Sequence, residues 1–157
     1  MKYYWRYKYP IGEFGIAESD GRITYVSLPG DDGRDIPGEY KLRETPVIKR
    51  AAKQLAEYFA GKRKEFDLPL EFTGTEFQKQ VWEALLTIPY GETRSYGEIA
   101  KQVGNPKACR AVGMANNRNP IAVVCPCHRV VGADGSLVGY GGGLPRKEFL
   151  LELEGKK

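Results

Sequence analysis

The first quarter of the chain alternates short β-like runs with turn residues. YYWRYKY, FGIAES and ITYVSL are spaced as strands. Asp20-Gly21, between the last two, is a hairpin signal. Residues 29–39 (PGDDGRDIPGE) read as a polar loop. The period then changes: Val47, Ile48, Ala51, Ala52, Leu55 and Phe59 recur at helical spacing. Thr45 is placed to cap that helix, Pro46 fits its first position, and Gly61 ends it. Residues 62–74 read as a linker between two halves.

The second half opens on Thr75 and Gln78, a capping-box pair, followed by Phe77, Val81, Leu85 and Ile88 at near-helical spacing. Ser95 and Glu98 form a second capping box ahead of SYGEIAKQV. Gly104 stops that helix. Asn105 is expected to cap the next, with Pro106 in its first turn. Two helices joined so closely predict a helix-turn-helix unit. In its second helix Ala108, Ala111, Val112 and Ala115 are expected to face inward. Arg110 lies about 160° from Val112 at about 100° per residue and projects outward. Such a helix can press into a groove; two packed core helices with surface charges would show the same pattern.

The run IAVVCPCHRVVG (121–132) is apolar and β-branched except at its centre. A proline there argues against a regular central strand and predicts a strand that breaks into a tight turn. The turn carries a thiol next to an imidazole, and a histidine near a cysteine can act as its base, directly or through a water. His128 is the single histidine of the chain, so any histidine chemistry must use it.

Composition narrows the classes. A length of 157 residues suits one ordinary domain or two small ones. Hydrophobic residues at 41% and charged residues at 28% suit a globular protein. No run approaches the roughly 20 apolar residues that span a bilayer, and the aromatic, charged N-terminus lacks a signal-peptide core. A cytoplasmic protein is expected, with no membrane partner. The net charge of +4 is modest, but residues 94–129 hold Arg94, Lys101, Lys107, Arg110, Arg118 and Arg129 against Glu98 alone. That excess suits a polyanion as well as it suits a solvated face. The three cysteines are an odd number and are expected as free thiols. Cys109, Cys125, Cys127 and His128 match no usual zinc spacing, so no metal and no cofactor is expected.

Six motifs in order carry a resemblance: FQKQVW (77–82), IPYGETRSYGEIA (88–100), GNPKACRAVGMANNRNP (104–120), PCHRV (126–130), GYGGG (139–143) and LLELEG (150–155). The chain resembles the 6-O-alkylguanine-DNA alkyltransferases across residues 70–155, and only in general layout before that. The resemblance implies an α+β fold. A small antiparallel-sheet domain would occupy residues 1–69. A mostly helical, winged-helix-like domain with the helix-turn-helix would occupy 70–157.

It also implies single-turnover transfer of the alkyl group from 6-O-methylguanine, and from 4-O-methylthymine, in duplex DNA after base flipping. In it Cys127 is the acceptor, His128 takes its proton, Glu154 orients His128, and Asn119 holds the turn. Tyr96 assists extrusion and protonates the leaving guanine. Arg110 replaces the flipped base. Gly97, Asn105, Lys107, Ala108 and Ala111 join it against the minor groove of double-stranded DNA. Leu137, Tyr140, Gly141, Gly142 and Val130 line the pocket, and the protein is a monomer.

Two departures stand out. Some relatives carry serine where this chain has Gly141. Others bind zinc in the N-terminal half, where residues 1–108 offer no Cys or His. Cys125 reads as a silent core residue, with a redox partner of Cys127 as the alternative, and Cys109 as a small core-facing one. A recognition module that lacks the cysteine, and a cysteine hydrolase with its base far away in sequence, fit less well.

Overall fold

The computed structural model describes residues 1–28, 36–136 and 143–155. Most of the 29–39 loop, and Leu137, Tyr140, Gly141 and Gly142, therefore lie outside the described residues. Contacts divide the chain into two compact units, Met1–Phe72 with Pro120–Val124, and Thr73–Asn119 with Cys125–Lys157.

In the first unit, β1 (Lys2–Tyr9), β2 (Gly12–Ser19), β3 (Arg22–Ser27) and β4 (Lys41–Leu42) form one sheet in the order β3-β2-β1-β4. β1 to β3 are antiparallel; β4 runs parallel to β1. The β2–β3 turn places Asp20 at φ 51° and Gly21 at φ 84°, the double left-handed pair of a type I′ hairpin. Phe14 and Ile16, on one face of β2, and Ile48, Ala51, Leu55 and Tyr58 of helix α1 (Pro46–Phe59) are wholly buried. Each such large side chain contributes about 1.5–3 kcal/mol. Tyr9 Oη donates to Ala52 O at 2.9 Å, tying β1 to α1.

Residues 62–74 are more than a linker. Ile23 N donates to Pro69 O at 2.8 Å and Glu71 N to Ile23 O at 2.9 Å, which bridges Leu70 to β3. Val26 N donates to Pro120 O at 3.0 Å and Ala122 N to Val26 O at 2.9 Å. Two segments thus cover the otherwise unpaired outer edge of β3.

In the second unit, α2 (Glu76–Leu85) starts at a complete Thr75–Gln78 capping box and α3 (Tyr96–Gln102) at a complete Ser95–Glu98 one. β5 (Arg94–Ser95) pairs in parallel with β6 (Val130–Val131). α4 (Cys109–Asn117) and α5 (Leu144–Leu153) complete the unit around Val81, Trp82, Leu85, Ile99, Val112 and Leu150.

Three expectations for the helix-turn-helix are corrected. Asn105 does not cap α4. Its N–H donates to Ala100 O, and Gly104 N (φ 84°) to Lys101 O, so Asn105 completes a Schellman end of α3. A turn follows, with Ala108 N bonded to Asn105 O, and α4 begins three residues later than expected with no side-chain cap. The buried stripe of α4 is Val112, Ala115 and Asn116, while Ala111 is exposed and Ala108 half-buried. Cys109 is likewise exposed, not core-facing. The first turn of α4 lies in solvent, so position along the axis overrides position around it.

The strand expected ahead of Cys127 is also shorter. Only Ile121 bridges; Val123 then adopts φ 67°, costly for a β-branched residue, with Val124 N bonded to Ala122 O. Among the described residues, no helix is long and apolar enough to cross a membrane.

Candidate active site

Pro126 fixes the backbone that presents Cys127. Its φ of −82° and ψ of 65° make an inverse γ-turn, closed by Cys127 N donating to Cys125 O at 2.8 Å. A short 3-10 turn, Cys127–Arg129, follows. Two amides hold this loop: Asn119 Nδ2 donates to Cys125 O at 2.8 Å and Asn116 Nδ2 to Cys127 O at 3.3 Å. Trp82 braces it from α2, donating Nε1–H to Ala115 O at 2.8 Å and accepting the Cys125 thiol on its carbonyl at 3.4 Å. Burial pushes the Cys125 thiol well up, with the neighbouring Cys127 adding to the rise, so Cys125 is a poor nucleophile. Among the described residues no cysteine forms a disulfide.

His128 and Glu154 meet in the interior. His128 Nε2 lies 2.7 Å from Glu154 Oε2, and both side chains are fully buried. Gly155, at φ 92°, ends α5 and so sets where Glu154 stands. The Glu154 carboxylate also accepts Arg129 Nε at 2.8 Å and Nη2 at 3.0 Å, and Gly91 N at 3.3 Å. A carboxylate only accepts, so Nε2 of His128 carries the proton of the pair. Nδ1 is then the lone-pair nitrogen, and it has no hydrogen-bond partner among the described residues. Burial pushes the imidazole below its usual range. Glu154 opposes that shift, while Arg129 and Lys147 add to it. The result is a buried neutral base next in sequence to a thiol.

Lys147 of α5 is wholly buried and donates Nζ–H to Val130 O. Burial pushes its amine down to about 8, opposed by the charge of Cys127. Tyr96, half-buried at the start of α3, has its phenol pushed up by burial and by Cys127. A side-chain carbon on Gly113 would lie 3.7 Å from the Tyr96 ring, so α4 backs this tyrosine.

The structure therefore brings together Cys127, His128, Glu154, Asn119, Tyr96 and Val130. It places Arg110, Lys107, Asn105 and Ala111 on the exposed stretch around the start of α4, with Ala108 half-buried among them and Gly97 near Cys109 Sγ. Sequence reasoning passed over Arg129, Lys147 and Asn116 as site residues. The signal was available for two of them: Lys147 lies three and four positions before the buried Leu150 and Leu151, and Asn116 four after Val112. Among the described residues no cluster of three or more metal-ligating side chains forms.

A two-unit α+β chain whose helical unit sets an exposed, arginine-bearing helix beside a buried Cys–His–Glu centre defines a helix-turn-helix protein with thiol chemistry. The chain belongs to the 6-O-methylguanine DNA methyltransferase family: its DNA-binding domain model matches residues 76–156 and its ribonuclease-like domain model residues 2–72. A methylated-DNA–protein-cysteine methyltransferase of Methanosarcina acetivorans is 54% identical over 154 residues, 98% of each chain. One of Mycobacterium leprae is 66% identical over 145 residues, 92% of this chain and 87% of that one. The structure of Mycobacterium tuberculosis OGT in complex with DNA superposes with a TM-score of 0.90 at 50% identity, covering 97% of this chain and 92% of that one.

Proposed function

We propose that this protein repairs alkylated DNA by moving an alkyl group from O6 of guanine in duplex DNA onto Cys127, once per molecule. The carrying observation is the Glu154–His128 pair, which leaves Nδ1 as a lone-pair base on the residue that follows Cys127 in the chain. In the step, Cys127 loses its proton to His128 Nδ1, directly or through a water. The sulfur then forms a bond to the alkyl carbon as the carbon–O6 bond breaks. The electron pair stays on the guanine, which takes a proton from Tyr96. Lys147 offsets the thiolate charge. The product thioether has no ready leaving group, so no turnover is expected.

A target carbon inside a duplex is inaccessible, so the base must leave the stack, at a cost of a few kcal/mol. Arg110, exposed on α4, fills the gap it leaves. Gly97, Asn105, Lys107, Ala108 and Ala111 lie against the backbone of the minor groove, where small residues permit close approach. Tyr140, Gly141, Gly142, Leu137 and Val130 enclose the flipped base. 4-O-methylthymine offers the same alkyl–oxygen bond. The protein acts as a cytoplasmic monomer.

The test is intact-protein mass after incubation with duplex DNA carrying one 6-O-methylguanine. One methylene mass, mapped to Cys127 and saturating at one per protein, is expected. Cys127→Ala should bind the duplex and gain nothing. Loss of both binding and transfer in a folded Cys127→Ala would refute its role.

A further inference from the structure

Arg129 has so far served only as a structural partner, yet its placement is unusual. Its guanidinium is almost wholly buried and directs Nε and Nη2 at the two oxygens of Glu154, in fork geometry, while Nη1 donates to Ile88 O at 2.7 Å. The Tyr90 ring lies 5.7 Å from it. The carboxylate that binds His128 is thus shared with a permanent cation. Without that cation, Glu154 would turn its whole charge on His128 and favour the imidazolium, which has no lone pair to accept a proton.

We propose that Arg129 is a positioning residue of the transfer reaction: by engaging both oxygens of Glu154 it lets the carboxylate orient His128 without protonating it, so that Nδ1 stays open to the proton of Cys127. This rests on the reading above that His128 takes that proton. Among the described residues, the charged groups acting on His128 are Arg129 on its own turn, Lys147 of α5 and Glu154 at the C-cap of α5; Tyr96 of α3 faces Cys127, and Tyr90 faces Arg129. Arg129 is the one that can offset Glu154 through a two-pronged contact. Proton flow is then Cys127 Sγ to His128 Nδ1, with the other ring proton kept on Nε2 and donated to Glu154 Oε2 throughout.

The chain holds a single histidine, so its ring signal in a proton–carbon NMR titration of the full protein is unambiguous. The expected midpoint in the native protein is below the ordinary histidine value, and in Arg129→Gln it rises by about one pH unit, a tenfold change in proton affinity. The acidic limb of the transfer rate should move by the same amount. An unmoved midpoint in a folded Arg129→Gln overturns the proposal. If that variant does not fold, Arg129→Lys serves, because one ammonium cannot occupy both oxygens. Its midpoint should rise by less, and no rise overturns the proposal. The titration needs no damaged DNA, so a native protein that fails to gain alkyl mass counts against the function alone.

Discussion

Lys147 and Arg110 each carry a test of the proposed chemistry at the residue scale. Lys147 is buried, and the charge of Cys127 acts on its amine, opposing the fall that burial causes. A buried ammonium favours a thiolate next to it. Lys147→Met should therefore lower the thiolate fraction of Cys127 at neutral pH about tenfold, one unit of pKa. The check is the pH dependence of iodoacetamide labelling of Cys127 in a Cys109→Ser background, since Cys109 is exposed; an unshifted profile would remove Lys147 from the chemistry. Arg110 acts elsewhere. It is exposed and takes no part in the bonds that hold Cys127. Arg110→Ala should slow reaction with duplex substrate at least tenfold and leave reaction with free 6-O-benzylguanine unchanged; equal loss of both would refute the base-replacing role. Cys127 and His128 were legible in the sequence as a candidate pair because they are adjacent in a distinctive run. Arg129 was not, and Lys147 was signalled only by its helical spacing to Leu150 and Leu151. A lysine or arginine is ordinarily a surface residue, and only the fold shows Arg129 carried inside onto Glu154 and Lys147 carried inside onto Val130 O.

At the scale of elements, the turn between α3 and α4 shows what a single glycine fixes. Gly104 adopts φ 84°, and a side-chain carbon there would meet nothing within 4 Å. The cost of Gly104→Ala is therefore one of backbone alone, about 1 kcal/mol. Urea unfolding should show that loss, and Gly104→Asn should lose less, because asparagine tolerates the left-handed region. If the two variants matched, the Schellman end would not be what holds the turn. Local rules served well where the deciding partners are near in sequence: the I′ hairpin at Asp20-Gly21, both capping boxes, and the Thr45-Pro46 start of α1, where Thr45 Oγ1 accepts Ile48 N. They failed at Asn105, where two local devices compete. The residue can cap the next helix or finish the previous one, and the bond to Ala100 O settles it for the previous one. They failed again at residues 62–74 and 120–124, whose partners on β3 lie far away in the chain.

The whole molecule's stability should respond to pH through groups in different units. His128, in the second unit, is held below its usual range by burial. As pH falls through about 6.5, the unfolded chain takes up a proton that the folded chain resists, so stability falls. Lys147 acts in another window. Between about 8 and 10.5 the unfolded lysine keeps a proton that the folded one lacks, so its contribution improves as pH rises. Tyr7 and Tyr9, in the first unit, set the upper bound. Burial raises both phenols above 10.0, with Glu44 adding to the rise for Tyr7. Above pH 10 the unfolded chain loses protons that the folded chain keeps, and stability falls again. Urea midpoints across pH 5–11 should trace this curve. His128→Gln should flatten the acid limb by on the order of 1 kcal/mol between pH 7 and 5. It should leave the alkaline limb alone. Tyr9→Phe should do the reverse, at a loss of about 1 kcal/mol near pH 7 for its bond to Ala52 O. An acid limb that survives unchanged in His128→Gln would mean that surface carboxylates, and not the buried imidazole, govern the fall. The two variants also report on different units, so a change in one limb without the other separates the pH response of the sheet from that of the site.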